Sequence, residues 1–343
     1  MKRFWSKALT VALITTMGLS VFSACGTTEK SESNNTEEKK LQVYTSFYPM
    51  YDFTSKIAGD KVDVINLVPS GMEPHDWEPS TEDIANLEKA DMLIYNGAGM
   101  EHWVEDVTKS LSNKDIVLVE ASEGIDLMEG HHHHDDEGEE AHEHEGEEAH
   151  EHEGEEAHEH EGEEAHEHEH SLDPHVWTSI KNAKKEMENI KNALVKADAA
   201  NAEYYEANFK MYSEKFDELD KKYETEIAKL PNKNIVVSHE AFGYLCKEYG
   251  LTQVGIEGLS PDSEPNPKRM AEIVEFVKEN NVKVIFFEEL VSPKVAESVA
   301  KETGATTDVL NPIEGLTEEQ LKEGNDYISI MEQNLNSIVK ALQ

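Results

Sequence analysis

The sequence predicts an α/β protein of two lobes, each built on a four-stranded parallel sheet, joined by a long rigid helix and carrying a metal site in the cleft between them. Three observations predict it. β-rich and helical runs alternate through two comparable halves, one uninterrupted helical stripe of apolar residues separates those halves, and three isolated histidines fall just after strands in both of them.

The chain opens with Lys2, Arg3 and Lys7 ahead of an apolar run over residues 8–22. A spanning helix needs about 20 such residues, so residues 1–24 read as an export signal. The run ends in Phe22-Ser23-Ala24-Cys25, small residues leading into a cysteine, which resembles a bacterial lipobox. Cys25 is then expected to carry lipid and to begin the mature chain, with residues 25–40 as a polar tether. An ordinary signal peptide with a chance cysteine is the alternative, and the tether favours the lipoprotein. Cys246, the other cysteine, lies in a helical pattern over residues 241–249, where core packing rather than a disulfide is expected.

Residues 41–203 form the expected first lobe. Its β-rich runs are 41–48, 62–68, 92–95 and 116–120, with helical patterns at 81–89 and 102–111. The second lobe, residues 231–343, repeats the arrangement with runs at 235–238, 252–256, 282–287 and 307–310. Near-continuous apolar strands alternating with helices imply parallel sheets covered on both faces. At 343 residues the chain is long enough for two domains, each with its own core. Between them, residues 204–230 place Tyr205, Phe209, Tyr212, Phe216, Leu219, Tyr223, Ile227 and Leu230 at steps of three or four, a helix that Pro231 stops. A shorter helix over 180–197 has the same spacing and is expected to pack beside it.

A formal charge of −41 excludes nucleic acid as a natural partner and favours a cation. Much of it is local, because residues 131–170 hold 19 of the 72 acidic residues and neither Lys nor Arg. Outside that stretch stand His75, His102, His175 and His239. His102 opens a helical run and reads as a surface residue. His75 lies in Glu73-Pro74-His75-Asp76-Trp77 after the second strand, His175 in Asp173-Pro174-His175-Val176-Trp177 after the fourth, and His239 in Ser238-His239-Glu240 after the first strand of the second lobe. Ligands of open α/β sheets bind beyond the carboxyl ends of the strands, so these three point to one shared metal site. Glu314, past the last strand in Asn311-Pro312-Ile313-Glu314-Gly315, is a candidate fourth ligand and equally a helix-capping carboxylate; Glu73 or water competes with it. Asp173 or Asp76 is expected to orient an imidazole. Three imidazoles and a carboxylate suit tetrahedral Zn(II), whereas Mn(II) favours more carboxylate.

These four motifs, in this order and at these separations over nearly the whole mature chain, resemble the zinc-specific solute-binding lipoproteins of ABC importers, the ZnuA and AdcA type. The resemblance implies one Zn2+ held by His75, His175, His239 and Glu314, delivered to an ABC permease and its ATPase by a monomer anchored in the cell membrane and facing the extracytoplasmic side. It also implies that the chain is no enzyme. A manganese receptor of the same family is the alternative. The family often carries an acidic, histidine-rich insertion ahead of the second ligand. Here it is long and regular, and the chain ends without the further metal-binding domain that some relatives append, which suggests a minimal receptor.

The insertion, residues 129–170, writes one eight-residue phrase four times from Glu137 to His168. Its histidines are His131, His132, His133, His134, His142, His144, His150, His152, His158, His160, His166, His168 and His170. Gly138, Gly146, Gly154 and Gly162 recur among glutamates that no base neutralises, so disorder and weak accessory zinc capture are expected. A zinc hydrolase is disfavoured by the absence of an H-E-x-x-H helix, and a surface zinc buffer or adhesin by the separate ligand set.

Overall fold

The computed structural model describes residues 40–130, 172–261 and 265–343. The expected export signal, Cys25 with its tether up to residue 39, and the thirteen histidines of the repeat lie outside the described residues.

In the first lobe β1 (Gln42–Thr45), β2 (Asp63–Asn66), β3 (Met92–Tyr95) and β4 (Val117–Glu120) form an all-parallel sheet of order β2-β1-β3-β4. The connecting helices are α1 (Tyr48–Ala58), α2 (Thr81–Leu87) and α3 (Val104–Ser110). The second lobe repeats the winding, with β5 (Asn234–Val237), β6 (Thr252–Gly255), β7 (Val284–Phe287) and β8 (Thr306–Val309) in the order β6-β5-β7-β8. Its helices are α6 (Gly243–Tyr249), α7 (Pro267–Glu279), α8 (Lys294–Thr303), α9 (Glu318–Lys322) and α10 (Tyr327–Leu342). The central strands β1, β3, β5 and β7 are the apolar, buried ones, and the edge strands alternate or face solvent. That pattern is what coverage of both faces requires.

Two helices run between the sheets, α4 (Ile180–Ala197) and α5 (Ala202–Ala228). The second spans about 40 Å at 1.5 Å per residue. It starts two residues before the expected 204–230 and also stops two residues early, the stop because the residue ahead of Pro231 is disfavoured in helical conformation and the last turn tightens through Lys229 and Leu230. The expected strand over 41–48 also ends early. Pro49 lies in the first turn of α1, where its missing N–H costs nothing, so Tyr48 already belongs to that helix.

The lobes do not keep separate cores, contrary to expectation. One buried cluster runs from Val43 and Met92 of the first sheet, through Ile190 of α4 and Tyr223 of α5, to Val237 and Leu310 of the second lobe. Phe53 of α1, Phe216 of α5 and Tyr327 of α10 meet ring to ring at 5.0–6.0 Å. The Tyr223 hydroxyl donates to the Met331 carbonyl of α10 at 2.6 Å, and Lys56 of α1 pairs with Asp326 at the start of α10 at 2.9 Å. Two smaller clusters cover the outer faces, under α7 and α8 in one lobe and under α2 and α3 in the other, and a third joins Ala98 and Val176 to Tyr244 of α6. The expected packing of Cys246 holds: it is buried, and burial pushes its thiol well above the usual range. None of the described helices is long and apolar enough to cross a membrane.

Glu186 of α4 faces this shared core without any solvent exposure, and neither carboxyl oxygen has a hydrogen-bond partner among the described residues. Burial, with the nearby Glu101 adding to it, pushes this carboxyl well above its ordinary range. The folded state therefore keeps a proton that the unfolded chain releases near pH 4.5, and stability is lost as pH rises from there through the folded value. Glu186→Gln should remove this slope, worth about 1.4 kcal/mol per pH unit. In thermal melts with chelator between pH 5 and 8, the variant should overtake the wild type as pH rises; parallel profiles would contradict a protonated Glu186.

Candidate metal centre

Identical winding in the two sheets places the ends of β1 and β3, and of β5 and β7, side by side, and the candidate ligands project from loops around those ends. His239 follows β5 by two residues, fully buried. Because β7 is the neighbour of β5, Glu288 stands next to it, and His239 Nδ1 and Glu288 Oε1 are 2.8 Å apart. With the proton on Nδ1, the Nε2 lone pair is free to face the centre.

His175 is also fully buried, at the start of a short 3-10 turn (Val176–Thr178) that leads into α4. Asp173 Oδ1 accepts from the backbone N–H of His175 at 3.0 Å and lies 2.8 Å from its Nδ1. Asn96, past the end of β3, donates from Nδ2 to the Pro174 carbonyl at 2.9 Å. The first-lobe switch point thus holds the His175 loop. Beside it the Glu101 carboxyl accepts from Ser46, Asn96 and Gly97, and burial still pushes it up to about 7.

His75 is the one partly exposed member, its side chain about a tenth exposed. Its loop is shaped by Glu73, whose carboxylate accepts from the His75 backbone N–H at 2.9 Å, and is joined to the second lobe by a bond from Gly71 N to the Leu316 carbonyl at 3.1 Å.

Glu314, 2% exposed, follows a strap in which Ile313 adopts φ of +63°. A β-branched residue in this region is a true outlier, costing of order 1–2 kcal/mol, so its surroundings must enforce it.

The four groups converge. His75 Nε2 and His239 Nε2 each lie 3.2 Å from His175 Nε2, and Glu314 Oε1 lies 3.3, 3.2 and 3.2 Å from the Nε2 atoms of His75, His175 and His239. A tetrahedron with arms of about 2.0 Å has edges of about 3.3 Å, so these spacings fit a tetrahedral zinc-sized ion with four protein donors. This is the only such cluster among the described residues. Glu73 is bound up in the turn of its own loop rather than in the fourth position, Asp76 is exposed, and His102 lies at the surface 3.8 Å from Glu78. Of the two aspartates expected to orient an imidazole, Asp173 does so. Glu288, which sequence reading missed, does the same for His239; its only signal is a carboxylate directly after a strand.

A comparison with family models matches residues 43–341 to ZnuA, described as zinc-uptake complex component A, periplasmic. The chain belongs to the ZnuA family. It is 48% identical over 320 residues, 93% of each chain, to the high-affinity zinc uptake system protein ZnuA of Bacillus subtilis. It is 40% identical over 305 residues to the zinc-binding lipoprotein AdcA of Streptococcus pneumoniae, matching 87% of this chain and 55% of AdcA, so it spans about half the length of that relative. The solved Zn(II)-bound ZnuA-like domain of S. pneumoniae AdcA superposes with a TM-score of 0.69 at 37% identity, covering 88% of this chain and 99% of that domain.

The electrostatics of this ZnuA-family centre are those of a site that exchanges protons for a cation. Burial disfavours charge on every member, yet the His239 imidazole is raised well above its ordinary value because Glu288 and Glu314 face it. Burial lowers His175 too, but its bonds to Asp173 and Glu314 outweigh this and raise it; at His75 burial wins. Glu314 is held well below the carboxylate range, burial being overcome by His239 and by hydrogen bonds from His175, His239 and His75. Three carboxylates, from Asp173, Glu288 and Glu314, face three imidazoles, so a dication replacing protons leaves a nearly balanced interior. Metal uptake near pH 7 should therefore release about one proton, chiefly from His239, and affinity should fall about tenfold, per proton displaced, for each unit by which pH is lowered. Calorimetry in two buffers of different ionisation enthalpy counts the protons; identical heats would contradict a protonated His239.

Proposed function

We propose that this chain is the extracytoplasmic receptor of a zinc ABC importer, which captures Zn(II) with His75, His175, His239 and Glu314 and delivers it to a permease driven by its ATPase. The observation that carries this reading is the set of 3.2–3.3 Å spacings among four donors drawn from both lobes. Three imidazoles and one carboxylate favour Zn(II) over Mn(II), and four protein donors leave no open position at which water could be activated. Capture and release, rather than catalysis, follows from that closed shell. Residues 1–24 act as the export signal, Cys25 as the lipid anchor with residues 25–40 as tether, and the monomer operates at the outer face of the cell membrane. Residues 41–203 and 231–343 are the two lobes, and the histidines of 129–170 are accessory, collecting zinc weakly near the cleft. Glu129 itself pairs with Leu172 in an antiparallel bridge, where the chain enters and leaves the repeat.

Deleting residues 129–170 should leave one tight zinc per chain and remove several weaker equivalents, as read by calorimetric titration at about pH 7.5, where exposed imidazoles are mostly neutral. A folded deletion protein without tight zinc would move the function into the repeat. In the same background, saturating zinc at a thousand times Kd should stabilise the fold by about 4 kcal/mol. His239→Ala should abolish most of this rise in melting temperature, and Glu314→Ala should lose less, because water can take the vacated position. Wild-type affinity in His239→Ala would overturn the ligand assignment.

A further inference from the structure

The strap that delivers Glu314 is held from outside at Asn311 and Pro312. Asn334 of α10 accepts from Asn311 N at 2.9 Å and donates to the Asn311 carbonyl at 2.7 Å. The Asn311 side chain accepts from Ile313 N at 2.7 Å, closing a turn that leaves Ile313, 1% exposed, at its unfavourable positive φ. Between these two anchors the Pro312 carbonyl has one partner among the described residues, the indole N–H of Trp177, at 2.7 Å. Trp177 is fully buried, stands two residues after the ligand His175, and packs edge-on against Phe47 at 4.8 Å. Its own carbonyl accepts from the Tyr327 hydroxyl at 2.7 Å.

The Trp177 indole therefore connects the loop of one ligand to the strap of another, 135 residues away, without passing through the cluster. We propose that Trp177 is a positioning residue: its N–H holds the Pro312 carbonyl, keeps Ile313 in the conformation that aims Glu314 at the three imidazoles, and so sets how long the metal is retained. The proposal rests on the reading that the four groups bind zinc. A side chain that served only the core would need the ring, whereas this role needs the N–H. Without that donor the buried Pro312 carbonyl loses its bond, and the strained turn gains a reason to relax toward negative φ, swinging Glu314 off its vertex.

The test loads the full chain with one equivalent of zinc, so that the tightest site fills first, and follows its release into excess chelator. Trp177→Phe should speed release about tenfold, the scale typical of groups that orient metal ligands. Replacing Trp177 by benzothienylalanine, which keeps the ring shape and lacks only the donor, should do the same where the Phe variant folds poorly. In a Glu314→Gln background either change should alter the rate by less than about twofold, since the two residues act through one interaction. Co(II) loaded in place of zinc should show its visible bands shifted in both single variants, as water replaces the carboxylate in the fourth position. If Glu314→Gln speeds release and the isosteric Trp177 replacement does not, the positioning role is overturned and the zinc reading stands. Equal acceleration with and without Glu314 would also overturn it, since Trp177 would then act elsewhere. Wild-type release from Glu314→Gln itself would instead refute Glu314 as a ligand, and with it the four-donor arrangement on which the proposal rests.

Discussion

Four donor atoms, from loops as much as 239 residues apart, must converge, five of their six separations being 3.2–3.3 Å, with three of them already out of water. Lone pairs at that spacing repel, and a buried carboxylate beside them adds a desolvation cost of several kcal/mol. No single loop can hold such an arrangement by its own hydrogen bonds. The frame must do so, and this explains why the lobes share one core instead of folding independently. The rings of Phe53, Phe216 and Tyr327 bring together α1, α5 and α10, which belong to the first lobe, the connecting rod and the second lobe. Their contacts turn a pair of hinged sheets into one body on which the loops can be aimed.

On that frame each imidazole within the buried part of the centre has its own carboxylate, Asp173 for His175 and Glu288 for His239. The outer carboxylates fix which nitrogen carries the proton and make the other a better donor. They also oppose the burial that would otherwise keep both rings neutral, raising both imidazoles above their ordinary value. Geometry and charge balance thus come from the same two contacts, one supplied within a turn and the other across neighbouring strands.

The difference between those two contacts also explains what could be read from the sequence. Asp173 precedes His175 by two residues, and a pairing within one turn is visible in the motif itself. Glu288 lies 49 residues from His239 and reaches it only because β7 is inserted beside β5, a sheet order that no local pattern encodes. The strands, the connecting helix and the four residues of the cluster were legible because apolar periodicity and strand-end histidines are local signals. The shared core was not, since an apolar face on a sheet does not say which helix will cover it. Helix boundaries moved by the residues that prolines dictate, at Pro49 and Pro231. The turn around Ile313 left no trace either, because isoleucine is the last residue that sequence rules would place at positive φ.

The partial exposure of His75 gives the cluster a front and a back. Behind it stand two sealed imidazoles and a sealed carboxylate; ahead of it lies a loop joined to the opposite lobe by one backbone bond, from Gly71 to Leu316. In the proposed zinc receptor, an incoming donor atom, whether from water, a chelator or another protein, would meet the ion on this face and compete with His75 before any other ligand. Exchange would then be sequential, with one bond surrendered at the rim while three still grip from within. Such a centre can be thermodynamically tight and still kinetically open, provided the partner that takes its cargo approaches from the right side.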